Sequence, residues 1–253
     1  MRTANPALNK KTFEDVYASG ADTMTLQGTV NKTGLLLIFI LIPAVWVWNK
    51  FFTAADILNM EAAARAVTPW MIGGIIGGLI FALVTIFNKK AAPYTAPVYA
   101  LLEGLFLGGI SAIMEARFPG IVIQAVALTF GTLFVLLFLY TSGIIKATQN
   151  FKLGIVSATG GIFFIYMATI VLRIFGIDMP YIHGSGLIGI GFSLFVVAIA
   201  ALNLVLDFDF IETGAESGAP KYMEWYGAFG LIVTLVWLYI EILRLLAKLQ
   251  SRR

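Results

Sequence analysis

Seven long apolar segments, separated by short polar links, constrain this chain more than any other feature of its sequence. A helix of about 20 residues crosses the roughly 30 Å hydrocarbon core of a bilayer. Of the 253 residues, 59% are hydrophobic and only 12% are charged, which is too little charge to cover a soluble domain of this size. The sequence therefore predicts an all-α, polytopic membrane protein, a bundle of seven transmembrane helices. The predicted spans are 34–52, 69–88, 97–114, 121–141, 153–175, 185–206 and 225–247.

The tail and the links predict the domain organisation and the topology. Residues 1–33 form a polar N-terminal tail and residues 34–253 the transmembrane domain. The tail lacks the short apolar core and cleavage site of a signal peptide, so the first apolar segment is expected to be retained. Lys and Arg are more frequent in the links on the N-terminal side, which predicts a cytoplasmic N-terminus. The absence of a targeting segment favours a cell inner (plasma) membrane over an organellar one. The basic C-terminus, "RLLAKLQSRR", conflicts with seven crossings, and a re-entrant last segment is the alternative.

Glycines recur about one turn apart in three of the segments. They lie in "GGIIGG" at 73–78, at Gly104 and Gly108, and in "ATGG" at 158–161. Small residues let transmembrane helices approach closely, because no hydrophobic force drives helices together within lipid. The pattern predicts that these three faces pack helix against helix.

Several function classes are excluded by what the sequence lacks. It has no cysteine, and its one histidine, His183, lies in a link, so neither a thiolate nor a histidine-ligated metal centre is expected. The glycines lie within apolar helices and form no phosphate-binding loop. The net charge of +3 is spread over the links and forms no nucleic-acid-binding patch. Since no nucleophile–base pair or cofactor motif is visible, the protein is not expected to be an enzyme.

Ionisable residues near or within the apolar segments are the candidates for function, because such groups are costly in lipid and rarely face it. They are Glu103 in the third segment, Asp207 and Asp209 after the sixth, and Glu241 deep in the seventh. Glu103 is either a functional polar site or a hydrogen-bonded structural group. Glu241 precedes Arg244 by three residues, a spacing that predicts an ion pair within the helix.

The stretch "ALNLVLDFDFIE" at 201–212 concentrates acids where the sixth segment ends. Asp207 and Asp209 are about 200° apart on a helix, so one can face the bundle while the other meets water. Asn203 shares the face of Asp207, as a polar pathway or an ion site would require. Carboxylate oxygens are the ligands that calcium prefers, which makes Asp207 and Asp209 candidate calcium ligands. A solvated helix end is the alternative interpretation of these residues.

The segment "LVLDFDFIE", followed by an apolar, arginine-terminated last segment, resembles the Bax inhibitor (transmembrane Bax inhibitor motif) family. "PVYALLEGLFLGGIS" is similar to the third helix of that family, and the "RTANP" start is similar to a bacterial branch. The resemblance implies a bundle in which six helices surround a central hydrophobic seventh helix. It also implies a pH-sensitive calcium leak across the membrane.

The gate that this resemblance implies is a pair of aspartates, one ending helix six and one on helix seven, joined by a shared proton. Such a pair titrates as a unit, because two adjacent carboxylates do not both ionise readily. The resemblance places the first aspartate at Asp207. Basic residues that latch this aspartate in the family fall near Lys89 and Lys90.

The second aspartate of the family is missing from this sequence. Alignment through Arg244 places Thr234 at its position, and Glu241 lies seven residues further along nearly the same face. Asp207 would then pair with another acid, for which the candidates are Asp209, Glu103 and Glu241. The carboxylate pair of the family is therefore absent or displaced here.

Residues and resemblance together predict a leak channel for calcium or another cation, gated through Asp207. No cofactor is expected, and the predicted partners are the lipid bilayer and the ion that is moved. The alternative is a non-conducting membrane regulator that binds partner proteins, such as membrane proteases or quality-control complexes. Ion flux through the purified protein in liposomes distinguishes the two hypotheses.

Overall fold

The computed structural model describes residues 23–57, 59–176 and 184–252, so the predicted loop residue His183 lies outside the described residues. Within them are seven helices long and apolar enough to cross a membrane, and no strand. The predicted all-α class of seven membrane-length helices is confirmed. The helices are α1 (Leu26–Ile57), α2 (Met60–Phe87), α3 (Ala92–Arg117, after a 3₁₀ turn at Lys89–Ala91), α4 (Ile121–Thr141), α5 (Gln149–Ile174), α6 (Leu187–Glu216) and α7 (Met223–Gln250).

Several helices extend beyond the apolar segments that predict them. α1 begins at Leu26, within the stretch assigned to the polar tail, and α6 continues to Glu216, well past the predicted end at residue 206. Hydropathy marks where a helix can contact lipid, whereas helical hydrogen bonding continues until a turn residue ends it. Gly218, at a φ of 69°, follows the end of α6. Asp207 and Asp209 therefore lie inside α6 and not at its end.

The chain divides into two compact units. The N-terminal unit comprises the described residues of Phe13–Val122 together with Ile211–Ile232. The C-terminal unit comprises the described residues of Ile123–Phe210 and Val233–Arg253, so α6 and α7 contribute to both units. α7 is the most buried helix, with 67% of its most apolar stretch inside the protein, against 11–44% in the other six. Its burial agrees with the predicted hydrophobic central helix.

Glycines set the close packing of α1 against α3 in the N-terminal unit. A Cβ atom added at Gly104 would overlap the carbonyl oxygen of Ile40 and the ring of Pro43. One added at Gly108 would overlap the backbone of Ala44. The small-residue face of α3 is therefore a helix-packing face, as predicted.

The other two glycine faces differ from each other. In "GGIIGG" a Cβ at Gly74 would overlap the carbonyl oxygen of Leu102 on α3, which confirms packing at that position. In "ATGG" nothing lies within 4 Å of a Cβ at Gly160 or Gly161, so the predicted close packing of these two glycines is wrong, although Ala158 of the same stretch packs against a buried cluster of α5 and α6. α5 instead turns its polar residues, described below, toward its neighbours.

A buried carboxylate ties the start of α7 to the start of α1 within the N-terminal unit. The side chain of Glu224 is fully buried and accepts hydrogen bonds from the backbone N–H and the hydroxyl of Thr25, both at 2.9 Å. Lys32 forms an ion pair with Glu224, and Nζ of Lys221 lies 3.2 Å from its Oε1. Gly28 leaves the space that the carboxylate occupies. We call these five residues the Glu224 cluster.

Candidate functional site

A line of nine side chains, all polar except Ala200, runs along three helices of the C-terminal unit. Each helix contributes residues seven positions apart, a spacing that returns a side chain to nearly the same face. We call this line the polar seam; it consists of Lys152, Thr159 and Tyr166 on α5, Ser193, Ala200 and Asp207 on α6, and Thr234, Glu241 and Lys248 on α7. The interval from Ser193 to Asp207 rises about 21 Å, so the seam extends over most of a bilayer core of about 30 Å.

Contacts between α6 and α7 fix an antiparallel register. Nζ of Lys248 lies 2.8 Å from Oγ of Ser193, and Thr234 lies beside Asp207. The sequence intervals between these contacts are equal on the two helices, so Glu241 falls opposite the fully buried Ala200. A small residue there leaves room for a long side chain of α7. In this register, the opposing side chains of the seam lie in successive layers along the helix axes.

Asp207 is the ionisable group of the seam that lacks a bonding partner. Its side chain is 0% exposed, and neither carboxylate oxygen has a hydrogen-bond partner in the part of the chain that the structure describes. The Thr234 hydroxyl lies beside it but outside the geometry of a hydrogen bond. An isolated carboxylate is strongly unfavourable away from water, whereas a neutral carboxyl group is tolerated. The alternative of an ordinary solvated helix end therefore does not describe Asp207.

Asp209 faces away from Asp207 and has a partner of its own. It forms an ion pair with Lys152, near the start of α5. The Asp209 side chain is partly exposed while Asp207 is buried, which confirms the prediction that the two acids occupy different faces. Lys152 buries its stem and directs its charge to the carboxylate. The ion pair closes the Asp207 end of the polar seam.

Asn203 connects α6 to α5 one turn from Asp207. Its side-chain amide donates to the hydroxyl of Thr159 at 2.9 Å and to the carbonyl oxygen of Ile199 at 2.8 Å. Asn203 is buried together with Asp207, as expected for residues that share a face. This layer contributes polar groups without charge beside the isolated carboxyl group.

Glu241 lies at the centre of a hydrogen-bonded cluster. It is 2% exposed and accepts a hydrogen bond of 2.9 Å from the hydroxyl of Tyr166. Nη1 of Arg244 lies 3.0 Å and 3.2 Å from its two oxygens, which confirms the predicted intrahelical pair. Nη1 also donates to the Tyr166 hydroxyl at 2.9 Å, so the three residues form a closed ring of hydrogen bonds.

Lys248 ends the polar seam on the side opposite to Asp207. It is buried, and Nζ donates to the carbonyl oxygen of Gly189 at 3.0 Å and to Ser193 at 2.8 Å. Two basic residues of the C-terminal stretch, Arg244 and Lys248, are thus held by partners within the protein. They are not free charges at a membrane surface, which weakens the topology conflict that the sequence raised. The orientation of the N-terminus stays a prediction.

The remaining candidate residues lie in the N-terminal unit. Glu103 is half-buried on α3 and faces α2, where a Cβ added at Gly78 would lie 3.2 Å from its Oε2. Lys89 and Lys90 begin the 3₁₀ turn between α2 and α3, and Lys90 is exposed. The pathway role of Glu103 and the latch role of the two lysines stay predictions.

The geometry offers little support for a calcium site on α6. Calcium takes six to eight oxygen ligands, and no group of three or more acidic or histidine side chains suited to a metal occurs within the described residues. The carboxylates of Asp207 and Asp209 also point to different faces, and Asp209 is engaged by Lys152. Joint coordination of calcium by both aspartates stays a prediction.

Six members of the polar seam were not predicted as functional residues: Lys152, Thr159, Tyr166, Ser193, Ala200 and Lys248. Lys152 and Lys248 resemble charges that flank a membrane span, and Tyr166 and Ser193 resemble ordinary members of apolar spans. The signal that could have found them is the seven-residue spacing of polar groups in three successive segments. That spacing indicates a shared polar line only when the three segments are known to pack against one another.

Seven membrane-length helices define an integral membrane protein, and a line of polar and ionisable groups is turned toward neighbouring helices within its largely apolar interior. The chain belongs to the Bax inhibitor 1 like family, whose model matches residues 5–251. The family resemblance inferred from the sequence is thereby confirmed. Comparisons with curated proteins and with solved structures give no match.

Proposed function

We propose that the protein is a pH-sensitive leak channel for calcium or another cation, with Asp207 as the gate carboxylate. The observation that carries the proposal is the fully buried carboxyl group of Asp207, which has no hydrogen-bond partner among the described residues. The polar seam is the proposed pathway, since it places polar groups along most of the thickness of a bilayer. We further propose a cell inner (plasma) membrane and a cytoplasmic N-terminus.

The proposed gate works by linkage between protonation and hydration. A neutral Asp207 is compatible with a dry seam in which α6 and α7 are in contact. An anionic Asp207 requires water, a cation or a new hydrogen-bond donor, and each of these requires the helices to separate. Loss of the proton and opening therefore favour each other by the same free energy. In this mechanism the pathway opens as the pH rises.

Asp207→Asn is expected to abolish the pH dependence of flux. Asparagine has nearly the size of the neutral acid and does not ionise, so the variant stays closed between about pH 6 and about pH 8. Flux of calcium, and separately of sodium, potassium and protons, is measured with purified protein in liposomes across this range. The variant should keep at every pH the low flux that the wild-type protein shows at the acidic end.

The matched control for this experiment is Glu216→Gln. Glu216 is an exposed acid near the end of the same helix, so its neutralisation should leave the flux profile of the wild-type protein unchanged. A profile for Asp207→Asn that follows the wild type would contradict the gate assignment. Wild-type protein that moves no ion at any pH would contradict the channel and favour the regulator that binds partner proteins.

Thr234→Asp is expected to restore a carboxyl pair and to change the shape of the pH profile. The new side chain lies beside Asp207, and two interacting carboxyl groups lose their protons in two macroscopic steps. Flux measured against pH should therefore show two transitions where the wild-type protein shows one. Thr234→Asn, which adds similar bulk without a second acid, should retain the single transition. One unchanged transition in Thr234→Asp would show that residues 207 and 234 do not interact.

A further inference from the structure

Resting on the proposed pathway, we infer a second gate at the Lys248 end of the polar seam, formed by Tyr166, Glu241 and Arg244. These residues close the seam opposite the layer that contains Asp207. They lie on α5 and α7, and Arg244 is the member that moves. Lys248, one turn further along α7, adds a fixed positive charge beyond the gate.

The hydrogen bonds of the ring make this layer a closed barrier. The Tyr166 hydroxyl donates to Glu241 and accepts from Arg244, both at 2.9 Å. The guanidinium group bonds both oxygens of the same carboxylate and lies 5.4 Å from the centre of the Tyr166 ring. Charge-assisted hydrogen bonds of this kind are about twice as strong as neutral ones. The ring therefore joins α5 to α7 across the seam.

The exposure of the two charged partners indicates which one moves. The side chain of Glu241 is 2% exposed and that of Arg244 is 40% exposed. Arg244 can turn its charge out of the bundle and toward the membrane interface by a change of rotamer, whereas Glu241 would have to carry its charge through the packed interior. Departure of Arg244 would leave an unpaired, anionic Glu241 in the layer of Ala200, and water would have to enter this layer to solvate the charge. The moving gate is thus a cation that leaves and uncovers an acid.

The charges along the seam give this gate a selective role. Its Asp207 end holds two acids and Lys152, whereas its other end holds Glu241 with two cations, Arg244 and Lys248. Fixed positive charge in a site of low dielectric repels a passing cation strongly. Cation entry from the Lys248 end therefore requires that Arg244 move aside, whereas the other end gains a net negative charge when Asp207 loses its proton.

The test uses the absence of cysteine from the natural chain. Ala200→Cys places one thiol in the seam opposite Glu241, and its reaction with a charged, water-soluble methanethiosulfonate reagent is followed in proteoliposomes. Adding Arg244→Gln should raise the rate of reaction about tenfold, because the loss of a charge-assisted hydrogen bond shifts an opening equilibrium by that order. Arg252→Gln, which removes an exposed charge at the same end of α7, should leave the rate unchanged.

A second cysteine position separates gating from general loosening of the structure. Val205→Cys lies on the same helix, is fully buried and points away from the seam face, so Arg244→Gln should not change its reaction rate. Equal acceleration at positions 200 and 205, or no acceleration at 200, would overturn the second gate. If Arg244→Gln does not fold, Tyr166→Phe replaces it; this variant keeps the ion pair and should give a smaller acceleration at 200 alone. An unchanged rate at 200 in Tyr166→Phe would equally overturn the gate.

These results are independent of those for the proposed function. Thiol reactivity at position 200 reports water access and does not require that any ion be conducted. If Asp207→Asn has the pH profile of the wild-type protein while Arg244→Gln speeds the labelling of position 200, the result contradicts the Asp207 gate alone. If the flux through Asp207→Asn is independent of pH while Arg244→Gln leaves the labelling rate at position 200 unchanged, the result contradicts the second gate alone.

Discussion

Glu224→Ala is expected to lower the stability of the protein by about 2–3 kcal/mol, as for other broken buried ion pairs. The substitution leaves the N–H and hydroxyl of Thr25 without their buried acceptor and removes the partner of Lys32. Both Lys32 and Lys221 reach water, which places the loss toward the lower end of the range for such pairs. Thermal unfolding in detergent, followed by tryptophan fluorescence, measures the effect.

The matched control is Glu61→Ala, which breaks an ion pair on the surface of α2. Glu61 and Arg65 have side chains 75% and 79% exposed, so their attraction is screened by water. The expected loss is at most about 0.5 kcal/mol. Equal losses in the two variants would show that burial does not strengthen the Glu224 cluster.

Gly104→Val is expected to cost about 3 kcal/mol or more, which is enough to unfold many proteins. Its Cβ atom would enter the space occupied by the carbonyl oxygen of Ile40 and the ring of Pro43. A carbonyl group within a helix and a proline ring yield far less than a flexible side chain, so α1 and α3 would have to separate. The measurements are the unfolding temperature and the fraction of monodisperse protein after detergent extraction.

Gly131→Val provides the same chemical change where space is available. Nothing lies within 4 Å of a Cβ at Gly131, in the interior of α4. Valine forms helix somewhat better than glycine, so the expected change in stability is within about 0.5 kcal/mol. A loss in Gly131→Val as large as that in Gly104→Val would contradict the assignment of Gly104 to a packing interface.

The sequence carried enough information to predict the fold class and one part of the site. Hydropathy predicts the number of helices because each span must satisfy its own backbone in lipid. The three-residue spacing of Glu241 and Arg244 predicts their contact because it depends on one helix alone. Asn203 and Asp207 share a face for the same reason. Contacts and shared faces that depend on one helix alone can therefore be predicted from the sequence.

The contacts that the sequence did not predict all depend on which helices are neighbours. In the sequence, Lys152 looks like a charge that merely flanks a membrane span. Its ion pair with Asp209 becomes apparent only when α5 is known to pack against α6. The ends of α6 could not be located from the sequence either, because hydropathy does not detect helical turns that continue into a polar environment. The outward position of Gly160 and Gly161 has the same origin, since a small-residue face packs only if a partner is present.

The equal spacing of the polar seam has a mechanical consequence. The contacts of α7 with Ser193 and Asp207 are fourteen residues apart on both α6 and α7, so a slide of α7 along its axis displaces Thr234 and Lys248 from their partners by the same amount. A shift of one residue, about 1.5 Å, is enough to misalign every layer at once. All layers of α7 therefore resist an axial slide together, whereas a rotamer change of Arg244 disturbs one layer alone.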